Sequence, residues 1–255
     1  MSAVARCLPL SPLTAVPGRA VSARPAAGFG VFLVLNAVLF LRPAEIVPGM
    51  VGLEIYQFLI LICIAVAIPV VLEQLSPGTL EARPITVCVL GLLFAAILSH
   101  LSRFNFAAAA ANGFEFFKLA VYYLLFVALV TTPERLRRFL FWLAIFAAAL
   151  ALLAVLQYHD LIRLPNLNTL QAVERDRSTG RDVIVRRLQA TGPFHDPNDL
   201  CVFLVVGILL GLHGLTDLRK RWARLAWIGP LFVLLYALAL TQSRGGFLAL
   251  LGGLF

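Results

Sequence analysis

Long apolar runs are the feature that most constrains how this chain can fold. Eight of them lie along the 255 residues, at 28–41, 51–72, 84–101, 114–131, 139–158, 199–215, 226–241 and from 246 onward. A helix needs about 20 apolar residues to cross a hydrocarbon core about 30 Å thick. Since 61% of the residues are apolar and 13% are charged, the runs predict an all-α, polytopic helical integral membrane protein with seven spans and a truncated eighth.

The sequence TQSRGG at 241–246 determines the span count near the end of the chain. It interrupts thirty nearly unbroken apolar residues between Ala226 and Phe255. One helix of that length would be about 45 Å long, which exceeds the hydrocarbon thickness. We therefore expect two spans with Arg244 at the turn between them. Because only ten residues remain from Gly246 onward, we also expect the chain to be the N-terminal part of a longer protein.

The runs and their connections divide the chain into four parts. Residues 1–27 contain four prolines and are expected to form a disordered cytoplasmic tail. Residues 28–158 hold five transmembrane helices, and residues 159–198 form a long loop with six arginines and five acidic residues. Residues 199–255 hold transmembrane helices six to eight. A connection as long as this loop is usually functional or disordered.

Arginine and lysine predict the orientation, because they are enriched in short cytoplasmic connections. With the N-terminus inside, eleven fall on the inner side and three on the outer side. The inner ones are Arg6, Arg19, Arg24, Arg83, Arg135, Arg137, Arg138, Arg219, Lys220, Arg221 and Arg224, and the outer ones are Arg42, Arg103 and Arg244. This assignment puts the N-terminus in the cytoplasm and the loop at 159–198 in the periplasm.

The net charge of +8 does not indicate nucleic-acid binding, because the basic residues are scattered between apolar runs instead of forming one basic face. The cysteines lack the spacing of a metal site or a disulfide framework. They are Cys7, Cys63, Cys88 and Cys201. No metal and no cofactor is therefore predicted.

Ionisable residues collect at the predicted outer face, where they indicate a site or pathway. They are Glu54, His100, Arg103, Glu115, Lys118, His159, His195 and Arg244. Several have ordinary structural explanations. Glu115 and Lys118 share a helix face and can neutralise each other, and an interfacial imidazole needs no special role.

The stretch TGPFHDPNDL at 191–200 precedes the sixth span. Asn198 or Asp199 is expected to cap a helix that begins at Leu200. His195 precedes the cap and is less well explained by it. Arg244 is the strongest candidate, since it is the only charged residue from Trp227 to Phe255. Beside two glycines and a helix N-terminus, its guanidinium fork would suit a phosphate or pyrophosphate.

The segments RRLQATGPFHDPNDL at 186–200 and ALALTQSRGGFLALL at 237–251 resemble the O-antigen ligase and O-antigen polymerase superfamily over roughly residues 185–255. The resemblance implies a glycosyltransferase of the bacterial inner membrane that needs no metal and no nucleotide sugar. It would transfer a glycan from undecaprenyl diphosphate to an acceptor at the periplasmic face. That acceptor would be lipid A-core, a growing polysaccharide or a protein.

By position, the resemblance implies that Arg244 contacts the diphosphate. We expect His195 to contact the glycan and not to act as the base, and the full set of substrate-binding residues would be Arg244, Gly245, Gly246, His195, Asn198 and Arg187. The family's catalytic histidine lies in a later periplasmic loop with no counterpart here, so no catalytic residue is assigned and the chain alone is expected to be inactive. Two alternatives remain open: a polysaccharide or lipid transporter or flippase component, and an inactive fragment.

Overall fold

A computed structural model describes residues 26–50, 52–162, 170–175, 182–216 and 224–254. The predicted tail lies outside the described residues except at its end, where the first helix begins. The α-helices are α1 (Ala26–Leu41), α2 (Pro43–Ile46), α3 (Ile55–Gln74), α4 (Pro77–Glu81), α5 (Pro84–Leu101), α6 (Phe106–Leu129), α7 (Pro133–Tyr158), α8 (Pro197–Thr216), α9 (Ile228–Thr241) and α10 (Arg244–Leu254). Single 3-10 turns at Pro48–Met50 and Leu225–Trp227 complete the described helical structure.

Six helices in the described part of the chain are long and apolar enough to cross a membrane, which is the architecture of a multi-pass membrane protein. They cover Ala27–Ile46, Ile55–Gln74, Pro84–Leu101, Phe106–Leu129, Pro133–Tyr158 and Pro197–Thr216. The predicted seventh span is a shorter apolar helix, Leu225–Thr241, and the predicted eighth is Arg244–Leu254. The apolar run at 226–241 is thus helical, but it does not reach the length of the other six.

Capping residues set helix starts that apolar runs do not mark. The run expected to begin at residue 114 belongs to α6, which begins at Phe106. Asn105 caps α6 by accepting a hydrogen bond from the amide of Ala108, and alanine is a strong helix former. Thr132 likewise caps α7 by accepting from the amide of Arg135, and Pro133 occupies the first helical position.

The long loop contains a short two-stranded hairpin within an otherwise helical protein. Strand β1 (Leu170–Arg175) pairs with β2 (Asp182–Arg187) in an antiparallel hairpin, with Leu170 opposite Arg187. The sequence DVIV of β2 contains three β-branched residues, which favour strands. The connecting residues 176–181 lie outside the described residues.

Buried side chains form two clusters within the described residues, and α7 contributes to both. Phe139 of α7 packs with α1, α3 and α6, around Phe32 and Leu35. Further along α7, Leu150 packs with α8 and α9, around Leu204 and Leu234. The hairpin α5–α6 lies to one side, since α5 makes most of its helix contacts with α6.

Glycines fix the close packing of α8 with the last two helices. A Cβ at Gly207 would lie 3.3 Å from Leu234, and a Cβ at Gly211 would lie 2.9 Å from Leu231, so α8 and α9 are antiparallel. By contrast, a Cβ at Gly246 would lie 2.8 Å from Cys201 and a Cβ at Gly253 would lie 2.8 Å from Leu209, so α10 runs parallel to α8. The chain therefore reverses between α9 and α10, which confirms the turn predicted at TQSRGG.

Candidate functional site

The segment after the hairpin runs across the end of α9. The amide of Leu188 donates to the carbonyl of Leu240 at 3.1 Å, and Nε of Arg187 donates to the carbonyl of Thr241 at 3.0 Å. The last carbonyls of a helix have no partner within the helix. Strand β2 and its continuation supply these partners, and the Arg187 guanidinium is thereby held at the α9–α10 turn.

The N-terminus of α8 differs from the cap expected at Asn198 or Asp199. The helix begins at Pro197, and Asp196 is the cap, because its Oδ1 accepts from the amide of Asn198 at 2.7 Å. The carbonyl of Asp196 accepts from the amide of Leu200 at 3.0 Å. An aspartate followed by a proline in the first turn is a strong helix start. The Asn198 side chain is therefore available for contacts outside the helix.

Asn198 links the sixth span to the TQSRGG turn. Its Oδ1 accepts from Oγ of Ser243 at 3.1 Å and from Nη2 of Arg187 at 3.4 Å. The amide oxygen has two lone pairs and can accept both bonds. Residues far apart in the sequence thus meet at one oxygen atom.

Ser243 is the N-cap of α10 and is buried, with 3% of its surface exposed. Its Oγ accepts from the amide of Gly246 at 3.2 Å and from Sγ of Cys201 at 3.3 Å. Gln242 precedes it with a φ of 53° and ends α9 in the left-handed conformation. These contacts give the short turn between the two helices a defined geometry.

Arg244 and Gly245 lie at the exposed start of α10, and Gly246 is buried. The positive end of the α10 dipole lies at Arg244, so the guanidinium and the helix end add to the same positive potential. The nearest atom to a Cβ at Gly245 is Oγ of Ser243 at 3.9 Å. Gly245 thus has open space beside it, whereas Gly246 packs against Cys201.

His195 contributes to the local structure through its backbone. Its carbonyl accepts from Nε2 of Gln189, and its imidazole lies in an exposed position. Phe194, next to it, is buried and stacks on Phe203 with ring centroids 4.7 Å apart. Phe203 also stacks on Phe40 of α1, at 4.7 Å. Phe194 therefore anchors this turn through its buried ring, and His195 is held at the surface of the turn.

The same turn is attached to α2 by contacts that the sequence analysis missed. Glu45 Oε2 accepts from the amide of Gly192 at 2.9 Å, and Glu45 Oε1 accepts from Arg42 at 2.6 Å. Gly192 has a φ of 75°, a conformation that favours glycine. The tripeptide Thr-Gly-Pro at 191–193 is a turn signal that could have drawn attention to this position.

Of the six predicted substrate-binding residues, Arg187, Asn198 and the Arg244–Gly246 segment gather at one place. His195 lies three residues from Asn198 along the chain. The buried Ser243 and the exposed Asp196 were not among the predicted site residues. Ser243 carried a usable signal, because a serine directly before a helical apolar run is a typical N-cap.

Other polar residues of the predicted outer face have local partners. Glu115 and Lys118 form a salt bridge of 2.7 Å, which confirms the predicted pairing on α6. His100 Nε2 lies 3.2 Å from Nδ2 of Asn112. His159 Nε2 lies 2.8 Å from the hydroxyl of Tyr236. Of these, His159 directly follows α7, which packs against the helices of the site.

Comparison with protein-family models, curated proteins and solved structures finds no match to this chain.

Proposed function

We propose that the chain contributes a lipid-diphosphate binding site to a membrane glycosyltransferase of the O-antigen ligase and polymerase type. The observation that carries the proposal is the meeting of Arg187, Asn198 and the Ser243–Gly246 turn. Asn198 Oδ1 contacts Ser243 at 3.1 Å and Arg187 at 3.4 Å. These residues come from the two segments on which the sequence resemblance rests, 186–200 and 237–251.

The chemistry of the turn suits an anionic leaving group. Arg244 carries a planar guanidinium that can form two parallel hydrogen bonds with phosphate oxygens. The α10 dipole adds positive potential at the same end. In glycan transfer the bond between the sugar C1 and the diphosphate oxygen breaks, and negative charge develops on the diphosphate. A fixed cation at that position would stabilise the transition state.

The proposal includes an orientation in the bacterial inner membrane. The N-terminus is cytoplasmic, and the site with residues 159–198 faces the periplasm, as the distribution of arginine and lysine favours. Helix α9 together with its preceding 3-10 turn covers Leu225–Thr241, about 25 Å at 1.5 Å per residue. That length is near the lower limit for crossing, so we assign it as the seventh span.

Binding of undecaprenyl diphosphate to Arg244 variants tests the proposal. The chain in lipid nanodiscs is titrated with undecaprenyl diphosphate, and wild type is compared with Arg244→Lys and Arg244→Ala. Charge-assisted hydrogen bonds to a phosphate contribute about 1.5–3 kcal/mol, so Arg244→Ala should weaken binding by roughly 10- to 100-fold. Lysine keeps the charge but lacks the fork, so Arg244→Lys should restore only part of the affinity.

Arg103→Lys is the matched control, because Arg103 is also an exposed arginine at a turn between two helices. The Arg103→Lys protein should bind undecaprenyl diphosphate with the same affinity as wild type. Equal binding by wild type and both Arg244 variants would show that Arg244 is an interfacial anchor, and the proposed site would be abandoned. Glycan transfer from an undecaprenyl-diphosphate-linked donor, measured in vesicles that contain the protein, should follow the same order as binding.

A further inference from the structure

A second group of polar and aromatic side chains lies on the other side of β2. Arg186 and Arg187 are neighbours on this strand, so their side chains leave it on opposite faces. Arg187 contacts the α9–α10 turn, whereas the Arg186 guanidinium lies over the ring of Tyr158, 5.1 Å from its centroid. Nη1 of Arg186 is 3.4 Å from Oδ2 of Asp160. This second group therefore sits where α7 ends.

His159 and Tyr236 form the aromatic part of the group. Their rings are parallel within 4° and their centroids are 5.9 Å apart. The Tyr236 hydroxyl lies 2.8 Å from Nε2 of His159, and this contact fixes both rings relative to each other. Tyr236 comes from the interior of α9, so the pair joins the end of α7 to a helix that does not follow it directly in the chain.

The group is only partly covered by the rest of the described protein, which leaves room for a ligand beside it. Tyr236 is 38% exposed, and the side chains of Asp160 and Arg186 are 69% and 39% exposed. A residue that only packed α7 against α9 would need no carboxylate and no guanidinium beside it. The exposed group combines flat aromatic surface with a hydrogen-bond acceptor and donors.

We propose that Tyr158, His159, Asp160, Arg186 and Tyr236 form a carbohydrate subsite that binds a pyranose ring of the transferred glycan. A pyranose has an apolar face of C–H groups, which packs on an aromatic ring, and hydroxyls that donate to a carboxylate and accept from a guanidinium. This inference rests on the proposed function, because it takes the glycan to be attached to the diphosphate held near Arg244.

The relative position of the two sites fits one substrate. Tyr236 lies five residues before Thr241 on α9, a rise of about 7.5 Å along the helix, and the Thr241 carbonyl contacts Arg187 at 3.0 Å. Strand β2 carries one arginine toward each site. A sugar bound against Tyr236 would therefore lie about 7.5 Å along α9 from the turn that is proposed to hold the diphosphate.

Saturation-transfer NMR on the chain in lipid nanodiscs tests the subsite. The probes are the methyl α-pyranosides of glucose, mannose and rhamnose, which carry no phosphate. At least one should receive saturation from the wild-type protein. Tyr236→Leu and Asp160→Ala should each reduce its affinity by roughly three- to tenfold, since an aromatic contact or a hydrogen bond is worth about 0.5–1.5 kcal/mol.

Phe232→Leu is the matched control, because Phe232 is an exposed aromatic residue one turn earlier on α9, with 70% of its surface exposed. It should leave pyranoside binding unchanged. An absence of saturation transfer to all three pyranosides would overturn the subsite, and so would equal affinities for wild type, Tyr236→Leu and Asp160→Ala.

The same samples separate the two proposals through undecaprenyl diphosphate, which carries no sugar. Its binding should depend on Arg244 and not on Tyr236. Loss of pyranoside binding in Tyr236→Leu with normal diphosphate binding supports the subsite. If pyranosides do not bind but the diphosphate binds through Arg244, the subsite is wrong and the proposed function stands. If Arg244 variants bind the diphosphate as wild type does, the proposed function is wrong, whatever the result with the pyranosides.

Discussion

At the scale of single residues, Asn198 has the most specific environment in the site. Its backbone amide donates to Oδ1 of Asp196, which caps α8. Its side-chain oxygen accepts from Ser243 and Arg187. Alanine would leave the buried Ser243 hydroxyl without its acceptor, and an unsatisfied buried group costs about 1–3 kcal/mol. Asn198 thus couples the α8 N-terminus to the turn that positions Arg244.

We predict that Asn198→Ala lowers the thermal stability of the protein in detergent and weakens binding of undecaprenyl diphosphate. The stability change should be about 1–3 kcal/mol, and the binding change should follow from a displaced turn. Thermal unfolding and diphosphate titration provide the measurements. Asp199→Ala is the neighbouring control and should cost less than about 1 kcal/mol, because Asp199 is an exposed first-turn acid that interacts mainly with the helix dipole. Equal effects of the two substitutions would contradict the role given to Asn198.

The two glycines after Arg244 should respond differently to the same substitution. A Cβ at Gly246 would lie 2.8 Å from both Cβ and Sγ of Cys201, so Gly246→Val should destabilise the α8–α10 contact by about 1–3 kcal/mol. Gly245 has its nearest neighbour at 3.9 Å, so Gly245→Val should fold normally. If a ligand approaches the backbone there, Gly245→Val should still reduce diphosphate binding. Normal binding by a folded Gly245→Val would remove Gly245 from the site.

At the scale of secondary-structure elements, α8 organises the second half of the described protein. It packs against α7, α9 and α10, and its glycines allow this close approach. Gly207 and Gly211 are four residues apart, a spacing that brings small residues onto one face of a membrane helix. Ala147 of α7 lies 2.8 Å from a Cβ placed at Gly207, so this glycine serves two helix contacts.

We predict that Gly207→Leu or Gly211→Leu prevents stable folding. A leucine at either position would overlap neighbouring helices, and overpacking of this kind costs about 1–3 kcal/mol or more. Yield of monodisperse protein after detergent extraction and its melting temperature measure the effect. Gly91→Leu on α5 is the control, since among the described residues no atom outside the local helix backbone lies within 4 Å of a Cβ at Gly91. Normal extraction of Gly207→Leu and Gly211→Leu would show that the α8 contacts are not tight.

The hairpin β1–β2 is the second element that positions the site. Its last residue, Arg187, binds the end of α9, and the chain then continues through Leu188 to the turn fixed on α2 by Glu45. The long loop is therefore tied to the helices at two places near its end. This attachment explains how a connection of this length can present Arg186 and Arg187 in defined directions.

At the scale of the whole molecule, α7 contributes side chains to both buried clusters. Strand β2 brings the chain back to the end of α7, where Arg186 lies over Tyr158. Four elements meet around the site: α2 through Glu45, the end of α7 through the following residue His159, the start of α8 through Asn198 and the end of α9 through Thr241. Alternation of helix direction along the chain predicts that these ends share one side of the membrane. In the orientation proposed from the distribution of arginine and lysine, that side faces the periplasm.

We predict that a cysteine at Ser102 reacts with a membrane-impermeant maleimide in intact cells, whereas one at Glu134 reacts only after the membrane is permeabilised. Both positions are exposed, and they lie at opposite ends of α6. Each new cysteine is introduced into a variant in which the four native cysteines have been replaced. Labelling of Glu134→Cys but not Ser102→Cys in intact cells would reverse the orientation and would place the Arg244 site in the cytoplasm.

Much of the architecture was predictable from sequence because burial in lipid imposes a strict rule. Backbone polar groups need internal partners in a bilayer, so long apolar runs must be helical. The run at 84–101 coincides with α5, and TQSRGG marks the reversal between α9 and α10. The same reasoning extended poorly to helix starts such as Phe106 and Pro133, because caps and alanines set them instead of apolar content.

The sequence alone thus determined the helical membrane class, the positions of most helices and the arginine at the last turn. Only the tertiary structure decided that Asp196 caps α8, that Asn198 therefore contacts Ser243 and Arg187, and that part of the long loop is a β-hairpin. Local patterns report the chain's interaction with lipid and water, whereas side-chain hydrogen bonds such as Arg187 to Asn198 depend on which helices pack together. That packing follows from the shapes of Gly207, Gly211 and their neighbours in three dimensions, which hydropathy does not encode.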